Sequence, residues 1–419
     1  MKKILDKLNI RSEFAKNVLK LFSGTALGNA IAFLALPVLT RLYSKQALGD
    51  LQLFLSTITT FGVVSALKYE LAIVLPKDKR AGNYLIILSL MVLLLFSSIV
   101  TTLFIVFGES FLRLLNAEEL KPYMFFISLG IFLMGLMQVM QYVLVRFKKF
   151  GELARNKVIQ ILVTQTIAIS FGFFYPSFVT LLSAQLIGFL VAALLVLVKG
   201  YFDIKDFRLQ EMIRFAIEYK KFPLVNTSLV FLNTLSLQLP VFMFKKYFSS
   251  EIVGLYMVAN RLVNIPLNLL GRSVSQVYLQ SASEAYHEGG AKLMKIYKNT
   301  VKKLALIAVF PVIIILIAAP PLVEIFLGSE WREAGVFMQI ITFWVYFQFI
   351  NMPISSSFTI MNRQEIGFYL VAFSLVFRFT AMYIFRATPY QMLMALSVSA
   401  GLFYIIYNYS IYYFIKRLK

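Results

Sequence analysis

Five polar side chains recur at helical spacing inside one hydrophobic stretch, and they are the residues here best suited to chemistry. Arg261, Asn264, Asn268, Arg272 and Ser275 share one side of Glu251–Val277, while Val263, Leu267, Leu270, Val274 and Val277 share the other. The stretch is long enough to cross a bilayer, where an arginine at the centre costs at least about 2.5–3.5 kcal/mol on insertion scales. Such a stripe belongs against a water-filled or protein-lined interior. At 1.5 Å per residue, Arg261 lies roughly 14 Å into its helix and Arg272 about 16 Å further toward the cytoplasm. Snorkelling to the inner interface is an open alternative for Arg272, whereas for Arg261 that escape is too long.

Other chemistries are excluded by what the chain lacks. It has no cysteine, hence no disulfide, thiolate metal site or cysteine nucleophile. The single histidine, His287, stands in a charged stretch and reads as solvated, so neither a hydrolytic triad nor a histidine-bearing metal centre can be assembled. No glycine-rich loop ends in Gly-Lys-Ser/Thr, which argues against direct ATP hydrolysis.

The elements that must carry the stripe follow from hydropathy. The 419 residues are 59% hydrophobic with mean hydropathy +0.77, against about 45–50% apolar for a soluble domain, so an all-α integral membrane protein is expected. The N-terminus is basic for some twenty residues and its first apolar run continues into another, reading as an anchor and not a cleaved signal. With about 20 apolar residues per span, the sequence predicts 12 helices near 17–37, 46–67, 83–107, 122–146, 156–175, 178–198, 222–244, 252–277, 302–319, 335–361, 366–385 and 390–415. The net charge of +21 invites a nucleic-acid reading, but about 30 of the 41 basic residues fall at alternate junctions, the pattern that sets membrane orientation. No nucleic-acid partner is expected, and both termini are expected in the cytoplasm. The outward loops are too short to hold a catalytic domain. The inward stretch 279–301 mixes Tyr286, Leu293, Ile296 and Tyr297 with lysines, and reads equally as an amphipathic surface helix or a solvated connector.

An internal repeat organises the spans. Arg41-Leu-Tyr-Ser-Lys-Gln-Ala-Leu-Gly49 echoes Lys246-Tyr-Phe-Ser-Ser-Glu-Ile-Val-Gly254, and Leu36-Pro37 matches Leu239-Pro240 nearby. Two six-helix lobes, 1–200 and 201–419, are therefore expected around a central cavity, with the eighth helix facing its repeat partner, the second. The second helix offers Asp50, Gln52, Ser56, Thr57 and Thr60; the first offers Ser23, Thr25 and Asn29; the seventh offers Asn226, Asn233, Ser236 and Gln238. Asp50 is open to pairing with Arg41 or a cavity arginine, or to an interfacial place. Arg378, in the eleventh helix, reads as a packing or lateral-gate residue. Pro266 lies within the stripe and reads as a hinge or as a static bend.

These stretches resemble the polysaccharide exporters of the multidrug/oligosaccharidyl-lipid/polysaccharide (MOP) flippase superfamily, most closely the Wzx-type O-antigen and capsule-repeat flippases. Carrying the resemblance are Tyr69-Glu-Leu-Ala-Ile-Val-Leu-Pro76, Phe222-Pro-Leu into Gln238-Leu-Pro240, Gly254-Leu-Tyr through Pro266-Leu-Asn to Ser275-Gln-Val, and Phe326-Leu-Gly-Ser-Glu-Trp-Arg-Glu-Ala-Gly335. The resemblance implies a V-shaped MATE-like pair of lobes in the bacterial inner membrane, its cavity lined by helices one, two, seven and eight. It implies alternating-access transport of an undecaprenyl-pyrophosphate-linked oligosaccharide, a partner polymerase and chain-length machinery, and no cofactor, with proton or sodium coupling left open. Arg261 and Arg272 would then serve the phosphates, with Asn264, Asn268, Asn29, Asp50, Asn226, Asn233 and Gln238 completing the substrate set. A cation-coupled multidrug exporter of the same superfold is the alternative, disfavoured because the first and seventh helices hold no carboxylate in their cores. A polymerase or glycosyltransferase would need a long outer loop or clustered acids and bases, and shows neither.

Overall fold

The computed structural model describes residues 13–202 and 208–418, apart from the side chains of 13–22, 266, 268–270 and 272–273. Every regular element among them is helical. That is the physical answer to a long apolar chain in lipid, because a helix satisfies each backbone donor and acceptor within its own segment. Twelve long helices stand where the sequence predicts them: α1 (Glu13–Leu42), α2 (Lys45–Gly62), α3 (Lys79–Leu114), α4 (Met124–Arg146), α5 (Phe150–Gly172) and α6 (Phe178–Leu197), then α8 (Thr227–Tyr247), α9 (Ser250–Glu288), α10 (Gly290–Leu327), α11 (Arg332–Ile354), α13 (Gln364–Ile384) and α14 (Pro389–Lys416). Two short helices, α7 (Leu209–Glu218) and α12 (Ser357–Ile360), are added to them. Among the described residues, nine helices are long and apolar enough to cross a membrane.

The chain forms two compact units, whose division falls at Thr234 and Leu235 inside α8. The first unit holds residues up to Tyr43 together with Leu53–Thr234. Its core runs through Ile58, Leu85, Leu93, Ile131, Val139 and Val143 of α2, α3 and α4, all fully buried. After Gly62 the second predicted span stops short of residue 67. The chain turns through Leu67 and Lys68 at positive φ (47° and 60°) into a 3-10 helix, Tyr69–Val74. There Lys68 Nζ meets Glu70 Oε1 at 3.1 Å, Gln138 donates to the same oxygen at 2.7 Å, and both charges are buried. Arg146, ending α4, clamps the following loop by donating to the carbonyls of Ile73, Pro76 and Asp78.

The second unit holds Ser44–Gln52 and Leu235–Lys419. Here the stretch 279–301 is neither a surface-lying helix nor a connector. α9 runs on to Glu288 and α10 starts at Gly290, separated only by Gly289 at φ +116°. Their extended ends bury Tyr278, Ala282, Leu293 and Tyr297 against Phe358, Ile411 and Ile415, so apolar residues interleaved with lysines are core and not a membrane-surface face. Tyr278 and Ser357 share a hydroxyl hydrogen bond of 2.6 Å, and Tyr297 donates to the Asn408 carbonyl at 3.0 Å. The α9 backbone stays helical through Pro266, and α10 and α11 through Pro311 and Pro353.

The repeat is a helix-starting device used twice. Ser44 Oγ accepts from Ala47 N–H at 3.1 Å, and 205 residues on, Ser249 Oγ accepts from Ile252 N–H at 3.4 Å. Each serine thus satisfies an orphan donor at the start of its helix, α2 or α9. The starts then pack reciprocally. A Cβ on Gly49 would overlap the Ser250 carbonyl, and a Cβ on Gly254 would overlap the carbonyl of Lys45, which stands at the position equivalent to Ser250. Glycine is what lets these backbones touch.

Candidate functional site

A cavity of about 280 Å³ lies within the second unit, walled by six helices, and among the described residues it is lined by no carboxylate and no histidine. From α9 come Tyr256, Met257, Asn260, Arg261 and Asn264, successive positions of one helical stripe; α8 adds Leu237, Gln238, Pro240 and Val241. Gln52 enters from α2, Trp344 and Gln348 from α11, Arg378 from α13, and Leu396, Ala400 and Tyr404 from α14.

Its two charges are both guanidinium. Arg261 is half-buried by exposed surface and makes no hydrogen bond or ion pair among the described residues. Arg378 is 6% exposed, and its buried Nε has no hydrogen-bond partner. Its guanidinium carbon lies 5.4 Å from the centroid of Phe403 and 5.9 Å from that of Tyr404. Those aromatic faces orient the cation but do not neutralise it. Removing a charge from water costs several kcal/mol unless a counter-charge offsets it. Two arginines, with no carboxylate among the described lining residues, make the cavity suited to an anion.

The remaining polar groups are amides and an indole. Asn264 donates to the Asn260 carbonyl at 3.1 Å and to its side-chain oxygen at 2.6 Å, and Trp344 Nε1 donates to Gln348 Oε1 at 3.2 Å. Tyr256 stands with its ring 6.5 Å from that of Trp344. Aromatic faces beside carboxamides form a surface suited to sugar rings and hydroxyls.

Of the residues named from the sequence, Arg261, Asn264 and Gln238 come together here. The side chains of Asn268 and Arg272 lie outside the described residues. Asn29, Asn226 and Asn233 belong to the first unit, on α1, at the end of the turn Phe222–Asn226 and on α8; none lines this cavity. Asp50 does not line it either. Buried at 6% exposure, it accepts from Ser250 Oγ, which in turn accepts from Lys245 Nζ at 2.9 Å, so its carboxylate ties α2 to α9 instead of facing substrate. Arg378, read from the sequence as a packing or lateral-gate residue, packs on Phe403 and Tyr404 and also lines the cavity. Asn260 and Tyr256 were legible in principle, as each continues the stripe four residues before the next member.

Comparison with solved structures defines the class. An inward-facing multidrug resistance MATE family transporter of the MOP superfamily superposes with a TM-score of 0.73 at 16% identity, over 93% of this chain and 94% of that one. The lipid II flippase MurJ in an inward closed conformation gives 0.73 at 15% identity, over 96% and 90%. A MOP superfamily transporter from Pyrococcus furiosus, described as having a binding pocket of reversed polarity that suggests a different function, gives 0.64 at 16%, over 97% of both chains. The fold is that of the MOP superfamily transporters. No curated protein matches the chain in sequence. The chain belongs to the polysaccharide biosynthesis protein family, whose model matches residues 20–336.

Proposed function

We propose that this multi-pass membrane protein is a flippase for lipid-linked oligosaccharides. In this reading it carries an undecaprenyl-pyrophosphate-linked repeat unit from the cytoplasmic to the outer face of the bacterial inner membrane, for O-antigen or capsule synthesis. Two six-helix lobes alternate access, and both termini are cytoplasmic. The observation that carries the proposal is the pair of arginines that have no carboxylate beside them among the described residues lining the cavity. A diphosphate is the group in such a substrate that supplies the missing charge, and guanidinium donates to its oxygens in bidentate geometry. Family membership and the fold shared with a lipid II flippase support the same reading. Asn264 and Gln238 then offer amides to the first sugar, beside Tyr256 and Trp344. The cavity has room for the diphosphate and its neighbourhood; the remaining sugars lie outside it.

The MATE likeness favours a second reading, a multidrug exporter. A cationic drug would meet two like charges here, so the sign of the cavity weighs against that substrate class.

The test is leaflet distribution. Deleting the protein should strand lipid-linked repeat units at the inner leaflet, and Arg261→Ala should fail to restore surface polysaccharide at normal membrane abundance. Normal leaflet distribution in the deletion strain would remove the flippase reading.

A further inference from the structure

The first unit holds a cavity of its own, of about 310 Å³, where the first turns of α5 meet the end of α6. Its polar lining is Glu152, Arg155 and Asn156 from α5 and Lys199 just beyond α6, while Ile159 and Val196 make an apolar part. These groups are not equally committed. Lys199 pairs with Glu152 Oε2, and Tyr201 donates to the same oxygen at 2.8 Å. With that carboxylate taken, Arg155 makes no hydrogen bond or ion pair among the described residues. Asn156 is 6% exposed, and its Nδ2 donates to the Ala192 carbonyl at 2.8 Å, which fixes the orientation of the amide. Its buried Oδ1 has no hydrogen-bond partner. A buried acceptor left unmet is costly, so this oxygen calls for a donor.

Lys199 and Glu152 cancel, and the cavity keeps one net positive charge on Arg155. A fitting occupant brings an anion for the guanidinium, a donor for Asn156 Oδ1 and an apolar part for Ile159 and Val196. Esters of glycerol phosphate have that chemistry, whether free in solution or as the head of a lipid. The setting favours the lipid. The cavity sits at the ends of two long helices of a membrane protein, and Leu194 and Val198, each next to a lining residue of the α6 end, are exposed apolar side chains. We propose that this cavity seats the head group of phosphatidylglycerol, with its phosphodiester on Arg155, a glycerol hydroxyl donating to Asn156 Oδ1 and its acyl chains along the outside of α6. A zwitterionic head group would instead bring an ammonium among Arg155, Lys199 and the nearby Lys148 and Lys149. The site is independent of whatever substrate the second unit carries.

The test is native mass spectrometry of the full chain released from maltoside micelles, with dioctanoyl phosphatidylglycerol as the probe. Arg155→Gln should weaken its binding roughly tenfold or more and leave the melting temperature unchanged, since Arg155 makes no internal bond. Lys148→Gln, at an exposed lysine of the same basic junction that does not line the cavity, should change it less than about twofold. Equal weakening in both variants, or in neither, overturns the site. In the unaltered protein, dioctanoyl phosphatidylmethanol keeps the charge but lacks the hydroxyls and should bind several-fold more weakly; equal affinity overturns the bond to Asn156. Dioctanoyl phosphatidylcholine should bind more weakly still, and equal affinity there overturns the charge match. Glycerol 3-phosphate carries the head without the chains. If it displaces phosphatidylglycerol at equal concentration, the ligand is a soluble phosphate ester and the lipid assignment falls.

Discussion

At the scale of single residues, the two cavity arginines are alike in charge but not in setting. Arg378 is held by aromatic faces, so Arg378→Lys keeps the charge yet loses the flat stacking that aims it. Affinity for pyrophosphate should fall in Arg378→Lys and fall further in Arg378→Gln, by about 1.5–3 kcal/mol or roughly ten- to 150-fold, as titration calorimetry would read. Because no histidine or carboxylate lines the cavity among the described residues, the protein should add no titration of its own between about pH 7 and 9, and any change in affinity there should follow the ionisation of pyrophosphate itself. A bell-shaped profile there would mean a titrating group takes part. Arg261 was legible in the sequence because its neighbours at helical spacing are polar. Arg378 was not, since Phe377 and Phe379 flank it and the faces that hold it arrive from α14. Glu70 is a different kind of buried charge: Lys68 and Gln138 compensate it within the first unit. Glu70→Gln leaves Lys68 buried without its partner and should cost about 3–5 kcal/mol, whereas replacing both by methionine should cost much less. Melting temperatures in one detergent would separate the two variants.

At the scale of elements, hydropathy located all twelve long helices, because span length and apolar content are local properties. It misjudged the length of some. A search for about 20 apolar residues truncates α9 and α10, while their last and first turns continue as helix packed on Phe358, Ile411 and Ile415. The short motif repeated 205 residues apart proved to be a cap and a contact together, something a sequence match alone does not specify. Its glycines make a prediction. Gly49→Leu drives a side chain into the Ser250 carbonyl, and backbone cannot yield as a side-chain tip would. The shift of α2 against α9 should cost at least the roughly 1–3 kcal/mol of ordinary overpacking and strain the bond from Ser250 to Asp50. Gly254→Leu should do the same through the Lys45 carbonyl, and the two variants should lower the melting temperature by similar amounts. A large difference between them would show that the two starts are not equivalent.

At the scale of the whole molecule, the distribution of charge carries information that no single contact does. The sequence puts about 30 of its 41 basic residues at alternate junctions and only a few at the others. Long helices do stand between those junctions, and the charge pattern was legible because it depends only on where the basic residues fall between spans. The cavity was only half legible because it depends on which helices meet, and α13 and α14 carry no polar stripe to announce it. If all twelve long helices cross and the basic junctions face the cytoplasm, a fluorescent protein fused after Lys419 should be bright, and alkaline phosphatase fused there should be inactive. The same phosphatase inserted at Ala387, between α13 and α14, should be active, since that turn falls in the sparsely basic set with Arg386. Replacing Lys292, Lys295, Lys298, Lys302 and Lys303 with glutamine should weaken this preference without inverting it, as the N-terminal and central clusters still hold the chain. Active phosphatase at the C-terminus of the unaltered protein would reverse the orientation, and with it the direction in which the proposed substrate travels.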